Sequence, residues 1–221
     1  MIVSVHQPHY LPWLGYIDKI KQSDCFVFLD NVQYKKREFQ NRNKIRTSTG
    51  WMWLTVPVLT KDNFHQKFDD VKIDNETNWM HDHWKSIEHN YARAPHFSQW
   101  RERIEPLYTT SWNKLIDINI AMIKLLLEAY FISTPVIMES SLGITTTSTQ
   151  RIVDICKKLG ADTYLSGTGA KDYMDESLFA GSGLQLQYQH FEHPVYDQVF
   201  NGFEPNMSII DHLFNCGTTG S

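Results

Sequence analysis

The sequence predicts an α/β fold: a mainly parallel sheet covered by helices, with a β-hairpin and helical elaborations. Three observations predict it. Ile-Val-Ser-Val at 2–5 and Cys-Phe-Val-Phe-Leu at 25–29 are short apolar runs of the kind buried on both faces of a sheet. Between them Leu14, Ile17 and Ile20 recur at helical spacing. The pattern then returns, with the helix TTTSTQRIVDICKKLG leading into the strand ADTYLSG. Strands alternating with helices favour a parallel sheet with helices packed on it.

The elements follow in order. Pro8 and Pro12 bar residues 6–12 from a central strand or a helix interior, so HQPHYLP is a loop. After the second strand, DNVQYKKREFQNRNKIRTSTGW holds Lys35, Lys36, Arg37, Arg42, Lys44 and Arg46, with Glu38 opposing. WMWLTVPV alternates and is β-branched, and the Ser-Thr-Gly before it is a turn. Part of the basic segment and this strand therefore form a hairpin. Residues 61–75 are polar, with a short Val-Lys-Ile strand. TNWMHDHWKSIEHNY is a helix capped by Thr77 or Asn78, and ARAPHF breaks it. RERIEPLYTT gives a short helix and WNKLIDINIAMIKLLLEAYF a long one. Residues 135–139 form a strand. The next helix is capped by Ser148 or Thr147, carries Lys157 and Lys158 in its last turn, and ends at Gly160. Residues 186–191 are a last strand, and EPNMSIIDHLFNCG enters a helix with Asn206 or Ser208 as its cap.

A chain of 221 residues with 42% hydrophobic residues buries a core without staples. We read one domain over 1–221, with the hairpin and a helical insertion inside 31–135. The formal charge of −4 leaves no global basic excess, so nucleic acid is not the expected partner. Three scattered cysteines, Cys25, Cys156 and Cys216, with no CxxC, argue against a disulfide framework and a structural zinc site. No apolar run approaches the ~20 residues that span a bilayer, and the N-terminus lacks the layout of a signal peptide. The expected location is cytoplasmic. His81 and His83 lie two apart, on different helix faces, and no HExxH occurs, so no metal site is expected.

In open parallel sheets, ligands bind beyond the carboxyl ends of the strands. The first strand delivers His6, Gln7, Tyr10 and Trp13 there. The second delivers Asp30, Asn31 and Gln33, and Tyr34 in the basic segment is a further binding candidate. The ADTYLSG strand delivers Ser166, Gly167, Thr168, Gly169 and Lys171. The glycine pair permits positive φ and close backbone approach, so SGTGA reads either as an anion-binding nest or as a flexible strand-to-helix turn. It matches neither the Walker A spacing nor the Rossmann fingerprint. Arg42, Asn43 and Lys44 in QNRNK supply guanidinium, amide and ammonium donors suited to phosphate or carboxylate. An aromatic content of 13%, including seven Trp, suits either a ring-rich core or a pocket that stacks a sugar or base.

HQPHYLPWLGYIDKI, DCFVFLDNVQYKKREFQNRNKI, LTVPV, ADTYLSGTGAKDYMDE and YQHFEHPVYDQVFNGFEPNMSIIDHLFNCG together resemble the WbqC-like protein family over nearly the whole chain. The opening resembles the family pattern HQPxYLPWxGYxxKI, with matches at His6, Gln7, Pro8, Tyr10, Leu11, Pro12, Gly15, Tyr16 and Lys19. His9 falls at a variable position, which singles out His6. Members of that family are encoded among genes for bacterial surface polysaccharides such as O-antigen and capsule. The resemblance implies a cytosolic biosynthetic role on a nucleotide-linked or otherwise activated sugar. A strand, a His-containing loop and a helix is also the opening of HIGH-type nucleotidylyltransferases, although Pro8 stands where those enzymes have a glycine.

Three functions follow. One is acyl or aminoacyl transfer to a nucleotide-linked amino sugar, with His6 as general base; a free imidazole titrates near ~6.5, which suits that task. Here Arg42, Lys44 and the SGTGA turn would hold the pyrophosphate, while Tyr10 and Trp13 stack on sugar or base. Another is nucleotidylyl or adenylyl transfer, which would require Mg²⁺ and a nucleoside triphosphate, with His6 and Lys171 on phosphate oxygens. The third is a non-catalytic binding protein that engages enzymes of the same pathway. Outside the nucleotidylyl reading no cofactor is expected.

Overall fold

The computed structural model describes residues 1–60, 65–172 and 174–218. In chain order the elements are β1 (Ile2–His6), α1 (Leu14–Lys21), β2 (Cys25–Phe28), β3 (Arg42–Thr47), β4 (Gly50–Thr55), α2 (Trp79–Tyr91), α3 (Phe97–Ile104), α4 (Leu115–Ala129), β5 (Val136–Met138), α5 (Ser148–Leu159), β6 (Thr163–Ser166), α6 (Glu176–Ala180), β7 (Gln185–Tyr188) and α7 (Ile209–Cys216). The expected α/β class is observed: a parallel five-stranded sheet with helices, and a separate antiparallel hairpin. The chain divides into two compact units. One comprises Met1–Gln7, Gly15–Asn31 and Ile132–Glu192; the other comprises Pro8–Leu14, Val32–Phe131 and His193–Ser221.

The first unit is the parallel sheet, in the order β5-β2-β1-β6-β7. Period-two alternation sends successive side chains to opposite faces. Val3, Val5 and Val27 pack on Ile152, Val153 and Ile155 of α5 and Phe179 of α6. On the other face Phe26 meets Tyr16 of α1, ring centroids 5.6 Å apart, and Ser4 Oγ lies 2.5 Å from Ser23 Oγ. Helices therefore cover both faces, which is why these strands read as unbroken apolar runs. α5 ends at Gly160 with φ 70°, the left-handed cap its position predicts; Thr147 occupies the N-cap without a side-chain bond. The expected strand at 186–191 forms as Gln185–Tyr188. Sequence reading missed α6, whose five residues are too few to show a period; the Asp175 side chain caps it by accepting from Ser177 N.

The second unit holds the hairpin with α2, α3, α4 and α7. β3 pairs with β4 with Arg42 opposite Thr55, Lys44 opposite Trp53 and Arg46 opposite Trp51. Asn43, Ile45 and Leu54 point into the core from one face, while Arg42, Lys44, Trp51 and Trp53 share the other. The Val-Lys-Ile strand does not form: Ile73 and Lys72 make isolated bridges to Val58 and Lys114. The expected polar stretch over residues 61–64 lies outside the described residues. α2 begins at Trp79 with Asn78 at its cap position, but without a side-chain bond. α7 begins behind Ser208, whose hydroxyl accepts from Ile210 N.

The proline loop at 8–14 is sewn into this unit by backbone and amide bonds. Tyr10 N donates to Phe39 O at 3.1 Å, and Ile209 N donates to Pro12 O at 2.8 Å. Asn43 Nδ2 reaches Leu11 O at 2.5 Å, and Asn119 Nδ2 reaches Pro8 O at 3.0 Å. Leu11 takes φ 46° at 0% exposure. A loop whose prolines cannot donate is thus held through its carbonyls.

Candidate functional site

The sequence candidates fall into both units. In the first, the sheet reverses its build direction at β1. The chain runs outward from β1 to β2 and β5, then returns to place β6 on β1's other side. That reversal is the position where an open parallel sheet leaves a crevice beyond its strand ends. β1 delivers His6 and Gln7 to it, and β6 delivers Ser166, Gly167, Thr168 and Gly169. The register Ile2 to Thr163 and Val3 to Tyr164 carries Ser166 to the level of Val5, one residue before His6.

His6 is half-buried at the last position of β1. Its Nδ1 lies 3.2 Å from Gln7 O, and its ring meets Tyr16 edge-on at 5.2 Å and 90°. The Tyr16 hydroxyl donates to the same carbonyl at 3.0 Å. A carbonyl only accepts, so this contact places the proton of the neutral ring on Nδ1 and the lone pair on Nε2.

Sequence reading gave Lys19 no functional role. It is 3% exposed; its Nζ donates to Val5 O at 3.1 Å and lies 5.8 Å from the Phe26 ring centre. Burial pulls it down to about 7. The signal was available: Lys19 lies three residues after Tyr16, on the covered face of α1.

Asp30 is buried, and its Oδ1 accepts from Ser140 N at 2.9 Å, fastening the end of β2 to the turn after β5. The fully buried Glu139 sits 3.7 Å from Arg151 Nη1, and the same nitrogen donates to Asn31 O at 3.0 Å. Neither Glu139 nor Arg151 was a sequence candidate. Of the two readings of SGTGA, the geometry matches the turn and not the nest: Gly167 has φ −71°, and Gly169 is not among the glycines with positive φ. Thr168–Ala170 forms a 3-10 turn. The absent side chains still matter, since a Cβ on Gly167 or Gly169 would meet nothing within 4 Å, leaving both backbones open to approach. Lys171 holds its Nζ 4.8 Å over the Tyr188 ring. Tyr173 of the same motif lies outside the described residues.

In the second unit, Tyr10 is corrected from a stacking residue to a core residue. It is 0% exposed; its hydroxyl lies 2.9 Å from His83 Nδ1 and 2.8 Å from the Tyr108 hydroxyl. Burial raises the Tyr10 phenol well above its usual value and lowers His83 to about 4. Asn43 is corrected likewise: its amide is spent on Leu11 O and on Lys44 N. Trp13 is half-buried and bridges Ser208. Gln33 bridges Lys67, and its amide nitrogen is 3.4 Å from His65 Nδ1. Tyr34 is buried and stacks on Phe68 at 6.4 Å and 10°. Burial pushes its phenol up to about 12, against the opposing charge of Arg42.

Arg42 lies 4.2 Å from the Trp53 ring centre, and Lys44 lies 4.2 Å from that of Trp51. Arg46, by contrast, is built into the structure. It donates to Thr47 O, Gly50 O, Asn201 O and Gln198 Oε1. Among the described residues no group of three or more His, Cys, Asp or Glu is placed to hold a metal ion, and no helix is long and apolar enough to cross a membrane.

The first unit is a doubly wound parallel α/β sheet with a histidine at its reversal point. The family known as the WbqC-like protein family matches residues 7–221, and the chain belongs to it. It is 35% identical over 217 residues to "Uncharacterized protein Rv1507c" of Mycobacterium tuberculosis (strain ATCC 25618 / H37Rv), covering 97% of this chain and 94% of that one. No solved structure matches.

Proposed function

We propose that this protein is a transferase that moves an acyl or aminoacyl group onto a nucleotide-linked amino sugar, with His6 as general base. The position of His6 carries this reading. It ends β1 at the sheet's reversal point, with Nδ1 turned to the Gln7 carbonyl and Nε2 therefore the basic nitrogen. In the reaction the sugar amine attacks the acyl carbonyl carbon and a C–N bond forms. The bond to the donor's leaving group breaks. His6 Nε2 takes the amine proton and returns it to the leaving group. Ser166, Thr168 and Lys171 at the neighbouring strand end are the polar groups available to a phosphate, and the open glycines let it approach. The surface-polysaccharide setting implied by the family resemblance favours an amino sugar.

The test is turnover of UDP- or dTDP-linked amino sugars with an activated acyl donor, read as a mass shift on the sugar. His6→Ala is expected to lower the rate at least ~100-fold while the fold, read by circular dichroism, survives. Unchanged turnover in that variant would remove His6 from the mechanism.

A second reading, nucleotidylyl transfer, draws support from the strand order and from the histidine loop between β1 and α1. Mg²⁺-dependent release of pyrophosphate from a nucleoside triphosphate would favour it. Its absence with all four triphosphates would leave acyl transfer, or a binding protein of the same pathway if neither assay turns over.

A further inference from the structure

The outward face of the β3–β4 hairpin alternates cations with rings. Arg42 covers Trp53 at 4.2 Å, and Lys44 lies 4.2 Å from Trp51 and 5.4 Å from Trp53. The two indoles meet nearly at right angles, 80° at 5.6 Å, forming a corner. Phe39 extends the patch, 6.0 Å from Trp53. Trp51 is 43% exposed and Phe39 40%, so these side chains are open to solvent where a core would cover them.

Among the described residues neither Arg42 nor Lys44 is in an ion pair. One guanidinium nitrogen of Arg42 donates to Arg37 O. Its Nε and the Tyr34 hydroxyl are both covered and have no hydrogen-bond partner among the described residues. Tyr34 is 7% exposed. Two covered donors beside a cation are the complement of an anionic oxygen, because an unpaired buried donor costs more than a satisfied one gains.

We propose that this hairpin face binds a nucleoside diphosphate group: the base lies in the corner of Trp51 and Trp53, and the diphosphate oxygens meet Lys44, Arg42 and the Tyr34 hydroxyl. The choice of ligand rests on the nucleotide-linked reading above. An isolated phosphate would use the cations and leave the rings idle; a neutral sugar would use the rings and leave the charges idle. A nucleotide uses both. Such a group has two sources: a nucleotide-linked sugar, or an acyl donor that carries an adenine-nucleotide handle.

Calorimetric titration of the full chain tests this with UDP, ADP, coenzyme A, inorganic pyrophosphate and a short single-stranded RNA. Binding of UDP alone marks the sugar's handle, and binding of ADP and coenzyme A marks the donor's. Trp51→Ala is expected to weaken binding about ten-fold or more, and Trp51→Phe, which keeps a stacking face, considerably less. Lys44→Gln should weaken both the nucleotide and pyrophosphate, and binding should weaken with added salt. The proposal is overturned if all three variants bind the nucleotide like the parent, if no nucleotide binds, or if the RNA binds more tightly than any nucleotide. The outcomes are separable from those for His6: His6→Ala should retain this binding while losing turnover, so either claim can fail alone.

Discussion

Lys19 and His83 are each buried, neither in an ion pair among the described residues, and each makes stability depend on pH in the same direction. Lys19 falls from the ordinary lysine value to about 7. Between the two values the unfolded chain binds the extra proton, so stability rises as pH climbs from about 7 toward the lysine range and is lost on the way down. Lys19→Met keeps the stem and removes the charge. We expect it to raise the melting temperature at neutral pH and flatten the alkaline rise, as read by thermal melts across pH 6–10. His83, lowered to about 4, acts in the acid range. Its stabilisation is complete above the free-imidazole value and is lost as pH falls to about 4, a change on the order of 3 kcal/mol. Urea titrations between pH 7 and 4 should show that slope in the parent and much less of it in His83→Gln. The sequence marks Lys19 through its spacing to Tyr16 on the covered face of α1, whereas His83 is one histidine in a cluster and carries no such mark.

Among the elements, α5 is the one the sequence specifies most fully. Its apolar face, its terminal lysines and its left-handed glycine are local features, and local sequence decides them. Gly160→Ala has no steric conflict, since a Cβ there meets nothing within 4 Å, so only the φ of 70° resists it. We expect a loss of about 1 kcal/mol by chemical denaturation, with the heat-capacity change unaltered. The hairpin was equally legible as an element, through its turn and its alternation. The partners of its cations were not. Arg42, Lys44 and Arg46 are alike in the basic run, yet Arg46 is fixed by four acceptors while Arg42 and Lys44 lie over indoles. Register across β4 and the distant 193–206 segment make that distinction, and neither is local.

Across the molecule, the chain passes between its two units five times, at Gln7, Leu14, Asn31, Phe131 and Glu192, so each unit is assembled from three separate segments. Non-local polar bonds then matter more than usual. In the second unit Asp211 is 0% exposed and accepts from Tyr91, Tyr196 and Gln198, joining α7 to α2 and the 193–206 segment. Burial raises its carboxyl, opposed by those donors and by Arg46. Asp211→Ala strands three donors, and we expect a loss of about 3 kcal/mol or more. Faster amide exchange should appear in α2 and α7 of this unit. Asp211→Asn, which keeps one acceptor oxygen, should lose less. Equal losses in the two variants would show that the carboxylate and its second acceptor oxygen, not the volume the side chain fills, are the larger effect.

The sequence by itself determined the α/β class, most of the strands and helices that build it, and the histidine at the end of the first strand. These depend on periodicity, on caps and on proline and glycine, all of which act within a few residues. The tertiary structure alone decided what each candidate side chain touches. It placed Tyr10 and Asn43 in the core, decided for a turn over a nest at Gly167 and Gly169, and brought Trp51 and Trp53 beside Arg42 and Lys44. Burial and pairing are set by neighbours tens of residues away, and a polar or aromatic residue carries no local mark of whether it will face a ligand or the core.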